Sequence, residues 1–377
     1  MKPKVSKGTY NINFLFTVLF LLGFGVLMVY NASVAFAGDA FGEKYYFFFL
    51  QISWAVIGLI CMVIVSRIDL EYIQKISPIL MSITLVILVF VLIPTWFTPE
   101  VNGARRWLYI NPSPLPELPF IGRIGFQPSD LAKVVFSIYF ADIVSRVKLG
   151  KLKNKYTKVA LIVLATVGLI FLEPDFDTSM LILLIAISIL FVAGLPYLYF
   201  LIGIPLASIV GLIFVLSSGY RKERLLTFFS PEQSNLSESG YHITQILISL
   251  GSGGLFGVGL GNSVQKFGFL PEVTADSIFA IIGEEFGFIG STLIILILGY
   301  FLIKGYEIAK NAKTDFGKFA VTGIMIWMST QVFLNLMAMV KILPLTGVPL
   351  PLLSYGGSSM VFGLIGLGIV LNVSKNG

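Results

Sequence analysis

The sequence predicts an all-α polytopic membrane protein, one integral membrane domain over 1–377 with about ten transmembrane helices and both termini cytoplasmic. Three observations predict it. Of the 377 residues, 56% are hydrophobic and 12% are charged, where a soluble domain carries about 25% charged residues. Apolar runs close to the bilayer-crossing length of about 20 residues recur along the chain. Basic residues collect in alternate loops.

The apolar runs are 12–36, 47–66, 76–96, 128–146, 158–172, 178–194, 196–218, 277–303, 318–340 and 352–373. The fifth and sixth are short for spanning helices. Gly194-Leu195-Pro196 is a turn signal between the sixth and seventh. Ala35-Phe36-Ala37 resembles a signal-peptidase site behind a basic N-terminus. The run before it is longer than a signal core and more helices follow, so it reads as part of the first helix.

Charge orients the set. Lys2, Lys4 and Lys7 precede the first run, and Arg67 and Lys75 follow the second. Arg146, Lys148, Lys151, Lys153, Lys155 and Lys158 fill the loop after the fourth. Lys304, Lys310, Lys313 and Lys318 follow the eighth, and Lys375 ends the chain. With ten alternating helices, these 16 of the 26 Lys and Arg lie on one side, which the positive-inside rule makes cytoplasmic. The net charge of +6 is explained by this bias, so no nucleic-acid partner is expected. Cys61 is the single cysteine, which excludes an intrachain disulfide and a cysteine metal site. His242 is the single histidine, which excludes multi-His zinc and weakens a Ser-His-Asp reading. No internal repeat supports an inverted-repeat transporter.

Two outside loops, about 97–127 and 219–276, are too long for plain connections. The second is the large extracytoplasmic loop between helices 7 and 8. Within it Ile243, Ile246, Leu247 and Leu250 recur at i, i+3, i+4 and i+7, which predicts an interfacial helix. Six glycines follow between 251 and 261.

Four polar clusters stand in or beside apolar runs, where ionisable groups are expensive and point to function. Arg105 and Arg106 beside Trp107 suit either bidentate phosphate binding or an interfacial anchor. In Gln127-Pro128-Ser129-Asp130-Leu131-Ala132-Lys133, Pro128 fits a first helical turn. Lys133 pairs with Asp130 at i, i+3 or projects into a cavity toward an anion. Glu173-Pro174-Asp175-Phe176-Asp177-Thr178 reads as a helix cap, with Asp177 capping the sixth helix, or as a divalent cation site. Asp276 stands at the start of the eighth helix, as an N-cap or a catalytic carboxylate, with Glu284 and Glu285 about two turns deeper.

These clusters, in this order, resemble the SEDS family of polytopic proteins (FtsW, RodA and SpoVE). Matching stretches run from Asn102-Gly103-Ala104-Arg105-Arg106-Trp107-Leu108 through the Gln127–Lys133 and Glu173-Pro174-Asp175 segments. They continue with Gly251-Ser252-Gly253-Gly254-Leu255-Phe256-Gly257, Leu270-Pro271-Glu272, Ile278–Glu285 and Pro351–Ser359. The 259–266 stretch looks more like the FtsW/SpoVE branch.

The resemblance implies a peptidoglycan glycosyltransferase of the bacterial cytoplasmic membrane. It polymerises lipid II, releases undecaprenyl pyrophosphate and works beside a class B penicillin-binding transpeptidase. A lipid II flippase and a non-catalytic scaffold are the alternatives. The family's essential aspartate falls at Asp276, as general base on the acceptor sugar hydroxyl. Arg105, Arg106 and Lys133 are expected on the pyrophosphate, with a divalent cation (Mg or Mn) left open, and Glu284, Glu285 and Ser354 join the substrate-binding set. Two departures stand out. Ala275 and Ser277 flank the aspartate where the family has Thr or Ser and then Phe, and Asp177 replaces a glycine.

Overall fold

The computed structural model describes residues 10–101, 103–118, 122–148, 155–203 and 238–376, with 205, 211 and 228 as isolated positions. Lys2, Lys4, Lys7, Asn102, Lys151, Lys153, most of the seventh apolar run and the loop start at 219–237 lie outside the described residues, 228 apart. Ten named helices and one short ribbon make up the rest. They are α1 (Ile12–Phe41), α2 (Tyr46–Val65), α3 (Leu70–Leu92), β1 (Leu108–Tyr109), β2 (Gly125–Phe126), α4 (Pro128–Lys148), α5 (Lys155–Leu172) and α6 (Phe176–Val192). Then follow α7 (Glu238–Ser252), α8 (Ile278–Lys310), α9 (Asp315–Met339) and α10 (Gly357–Asn376).

Six of these are long and apolar enough to cross a membrane: α1, α2, α3, α8, α9 and α10. α5 and α6 are shorter apolar helices. α4 carries Asp130, Lys133, Asp142, Arg146 and Lys148, so its composition is less apolar although nearly all of it is buried. It is the central helix, packed against α3, α6, α9 and α10.

Capping explains where helix bounds depart from the apolar runs. α1 continues to Phe41 because Gly42 takes the left-handed conformation (φ 70°) and its N–H returns to Gly38 O. Ala35-Phe36-Ala37 therefore lies inside α1. α3 begins at Leu70, because Asp69 accepts the Glu71 N–H and the polar first turn is helical before the apolar stretch begins. α10 begins at Gly357, later than the apolar run, because 351–356 turns with Leu352 at φ 65°.

The helices approach closely where small residues meet backbone, as expected when packing drives association in lipid. A Cβ on Gly368 of α10 would stand 2.7 Å from Met62 O of α2, and one on Gly25 of α1 would stand 2.2 Å from Leu352 O. Large apolar side chains on α1, α2, α3 and α8 point outward, as a lipid-facing surface requires.

Polar contacts close the two ends. At one end Asn372 donates to Val65 O (2.9 Å) and Ile68 O (2.5 Å), and Lys148 pairs with Asp315 (2.8 Å). At the other, non-helical segments meet around 272–277 and 350–356.

α8 is broken inside the bundle. Gly287 has φ 66° and ψ −166°, outside helical geometry. The glycine-rich loop after α7 repairs the break. Val258 N–H donates to Glu284 O (3.0 Å) and Gly259 N–H to Glu285 O (3.0 Å). Phe288 and Ile289 donate to Gly254 O (2.9 Å) and Leu255 O (3.1 Å). The four bonds satisfy the two carbonyls and two N–H groups that a continuous helix would pair with each other in two bonds, so the backbone stays satisfied at depth. A Cβ on Gly257 would stand 2.1 Å from Glu285 O, which is why the loop needs glycine there.

Candidate functional site

The site forms where four segments converge: the 271–277 turn, the 348–356 segment, the start of α4 and the α5–α6 turn. In the first, Ala275 and Ser277 N–H both donate to Glu272 O (3.0 and 3.3 Å). Asn335 of α9 donates to Asp276 O (2.7 Å) and Val348 O (2.9 Å), tying the turn to α9 and the 348–356 segment. Tyr355 N–H donates to Thr274 O (2.8 Å). The backbone of Asp276 is thus held from several sides, and its side chain is buried. Ser277, not Asp276, takes the cap position of α8, and it makes no side-chain capping bond. The Asp276 carboxylate is therefore not used as a helix cap. Ser277 Oγ instead lies 3.4 Å from Asp276 Oδ1 and 2.7 Å from His242 Nε2.

Lys133 pairs with Asp130 at 2.6 Å, with side-chain exposures of 5% and 7%. Its ammonium also stands 5.1 Å from the centre of the Trp327 ring. Trp327 lines a cavity of about 20 Å³ with Gln331, Ser354, Ser359 and Met360, room for one water. Ser354 Oγ accepts the Leu350 N–H (2.8 Å), and its carbonyl accepts from Gln51 (3.2 Å). Ser354 and the Trp327 face of Lys133 therefore belong to one neighbourhood.

The start of α4 joins this neighbourhood to the acidic turn. Gln127 N–H donates to Ser358 Oγ (3.0 Å), and Gln127 Nε2 and Ser129 Oγ both donate to Asp175 (3.0 and 3.1 Å). Asp175, rather than the expected Asp177, caps α6 by accepting the Thr178 N–H (3.2 Å). Asp177 falls in the first helical turn. Arg106 closes the ring, donating to Glu173 O (3.0 Å) and Pro174 O (2.7 Å). Arg105 turns outward to Glu100 (3.3 Å), and both are partly exposed. Such a surface pair is worth only about 0–1 kcal/mol, so its guanidinium is easily exchanged to another anion.

Glu173 is fully buried, and among the described residues neither carboxyl oxygen has a hydrogen-bond partner. Burial pushes its carboxyl up to about 9, neighbouring Asp175 adds to the rise and Arg106 opposes it. It is neutral at pH 7.

Glu284 and Glu285 stand apart from this ring. Glu284 accepts from Ser263 Oγ (2.6 Å), Val264 N–H (2.9 Å) and Ser249 Oγ (3.2 Å). Glu285 pairs with buried Lys266 (3.2 Å) and accepts from Asn31 of α1. Both hold the glycine-rich loop onto α8.

A family profile for cell cycle proteins, FtsW, RodA and SpoVE, matches residues 12–377. This chain belongs to that family. It is 37% identical to stage V sporulation protein E of Bacillus subtilis (strain 168) over 361 residues, covering 95% of this chain and 94% of that protein. It is 35% identical to the probable peptidoglycan glycosyltransferase FtsW of Nitrosomonas europaea, covering 95% and 90%. In fold it is similar to a chain from a structure described as "Structural coordination of polymerization and crosslinking by a peptidoglycan synthase complex". That match has a TM-score of 0.78 at 25% identity, covering 97% and 98%. The Thermus thermophilus rod shape determining protein RodA matches with a TM-score of 0.68 at 24% identity, covering 97% of each chain.

Within this FtsW, RodA and SpoVE fold, sequence reasoning missed Asn335, Trp327 and Gln51, the groups that hold Asp276, Lys133 and Ser354. A lone Asn inside an apolar run is a signal that would have found Asn335. The acidic turn fits a divalent cation poorly. Asp175 is engaged by Gln127, Ser129 and Thr178. Among the described residues no three His, Cys, Asp or Glu stand together to hold a metal.

Proposed function

We propose that this chain is a peptidoglycan glycosyltransferase that polymerises lipid II and releases undecaprenyl pyrophosphate. The observation that carries the reading is a buried carboxylate, Asp276, whose carbonyl is held by Asn335 in a turn that Tyr355 pins at Thr274, and which caps no helix. A general base needs a fixed position and a carboxylate that is not committed to a helix end. The relatives named probable peptidoglycan glycosyltransferase support the same reaction.

In the proposed topology ten helices cross the bacterial cytoplasmic membrane with both termini inside, and the Asp276 end faces outward. Membership of this family and the multi-pass fold support the placement. Asp276 takes the proton of the acceptor hydroxyl as its oxygen attacks the anomeric carbon. The pyrophosphate leaves with the bonding electrons, and a single displacement without a covalent intermediate inverts that carbon. Arg105, loosely held at the surface, and Lys133 supply positive charge to the leaving group. Arg106 orders the acidic turn beside them. Glu284, Glu285 and Ser354 act on substrate through the backbone they hold. A class B penicillin-binding transpeptidase is the proposed partner, in keeping with the peptidoglycan synthase complex of similar fold.

The test is Asp276→Asn in purified protein with its transpeptidase partner and lipid II. Glycan polymerisation is expected to fall by about 10²–10⁴-fold, the usual worth of a general base. Polymerisation at the wild-type rate overturns the base assignment. Lost polymerisation is also what separates this reading from a flippase, which has no use for a base.

A further inference from the structure

We infer that His242 and Ser277 are positioning residues that aim the Asp276 carboxylate at the acceptor hydroxyl. The inference rests on the glycosyltransferase reading above and adds to it two groups that the reaction itself does not name.

The geometry comes from two helices. His242 lies in the second turn of α7, the interfacial helix, and Ser277 is the fully buried cap residue of α8. Ser249 Oγ of α7 donates to Ala280 O of α8 (2.9 Å), so the two helices are bonded to each other one turn beyond Ser277. Across this joint His242 Nε2 stands 2.7 Å from Ser277 Oγ, and Ser277 Oγ stands 3.4 Å from Asp276 Oδ1.

With Asp276 ionised, as a base must be, donor and acceptor rules give the chain a direction. An ionised carboxylate only accepts, so the serine hydroxyl gives its proton to Oδ1. Its remaining lone pair then accepts, and the donor is the imidazole N–H at Nε2. The serine–carboxylate contact is long for an O–H···O bond. Contacts of this kind tighten when substrate is bound. With Oδ1 engaged by Ser277, Oδ2 is the oxygen we assign as the base. It takes the acceptor's proton while the new glycosidic bond forms and the bond to pyrophosphate breaks. Asp276 then returns that proton to water before the next turnover. A phenylalanine at 277, as in the family pattern, has no hydrogen bond to offer.

The Glu272 side chain is exposed on the preceding turn, and α9 presents the neutral Asn335. Glu284 meets α7 further along, at Ser249.

The experiment is steady-state polymerisation of fluorescent lipid II by the purified full chain with its transpeptidase, across pH 5–9. The variants are His242→Ala, Ser277→Ala, the double variant, His242→Gln and Ser277→Thr. Each alanine variant is expected to lose about tenfold in kcat with KM unchanged, and the double variant to lose no more, because the two act as one unit. Loss of a hydrogen bond to a carboxylate favours its protonated form, so the acid limb of kcat moves to higher pH in Ser277→Ala. His242→Gln and Ser277→Thr keep a donor and recover most of the rate, which a variant that merely misfolds does not. Wild-type kcat and pH profile in both alanine variants overturn the inference, while an inactive Asp276→Asn leaves the base reading intact. An active Asp276→Asn overturns both.

Discussion

Lys133 and Asp130 allow structure and chemistry to be separated in one set of variants. Their side chains are 5% and 7% exposed and 2.6 Å apart. Removing either partner leaves an uncompensated buried charge, which costs about 3–5 kcal/mol. Lys133→Met also forfeits the contact with Trp327, worth up to about 2 kcal/mol where water is excluded. Replacing both, as Asp130→Asn with Lys133→Met, removes both charges at similar volume and returns stability to within about 1–2 kcal/mol of wild type. Thermal unfolding of the purified variants measures the first quantity and polymerisation of lipid II the second. The single variants are expected to melt early, and the double variant to melt near wild type yet stay inactive, because the pyrophosphate has lost its cation. A double variant that polymerises normally refutes the role given to Lys133. Single variants as stable as the double refute the buried-pair energetics.

Two further outcomes are expected. Folded Glu173 holds its proton up to about 9, against 4.5 for an ordinary glutamate. The folded state therefore binds more protons between those values, and stability falls as pH rises through that window. Glu173→Gln should flatten the melting temperature against pH from 5 to 9, and curves parallel to wild type would count against the neutral carboxyl. At Gly257, φ +82° and a Cβ placed 2.1 Å from Glu285 O make alanine intolerable. The left-handed backbone alone costs about 1–2 kcal/mol. Gly257→Ala should speed hydrogen exchange at Val258 and Gly259 and lower polymerisation together, whereas unchanged exchange would mean that the loop does not seal α8.

The apolar runs made most helices legible, because hydrocarbon rewards a simple pattern. They misjudged ends where a cap decides, as at Asp69 and Gly42. They also placed the acidic turn's cap on Asp177, since Asp175 and Asp177 look alike until Gln127 and Ser129 arrive from another helix. The motif around Asp276 singled it out from sequence, and the structure adds its burial and the bond from Asn335 to its carbonyl. The partners of Lys133 and Ser354 were only partly so, since Trp327, Asn335 and Gln51 come from distant parts of the chain. Glu284 and Glu285 read as ligands because buried carboxylates are costly. Their cost is met instead by Ser263, Val264, Lys266 and Asn31, contacts that spacing alone does not reveal. The six glycines pointed to a tight loop, but not to a backbone that completes another helix.

That repair ties the biogenesis of α8 to the chain made before it. The four bonds at 254–259 involve residues that leave the ribosome ahead of α8. Entering the bilayer alone, α8 would carry unsatisfied backbone groups at Gly287, each costing several kcal/mol in hydrocarbon. Loop and helix are therefore expected to enter together. Residues inserted within 254–259 should therefore open this seam and strand the α8 backbone groups that it serves.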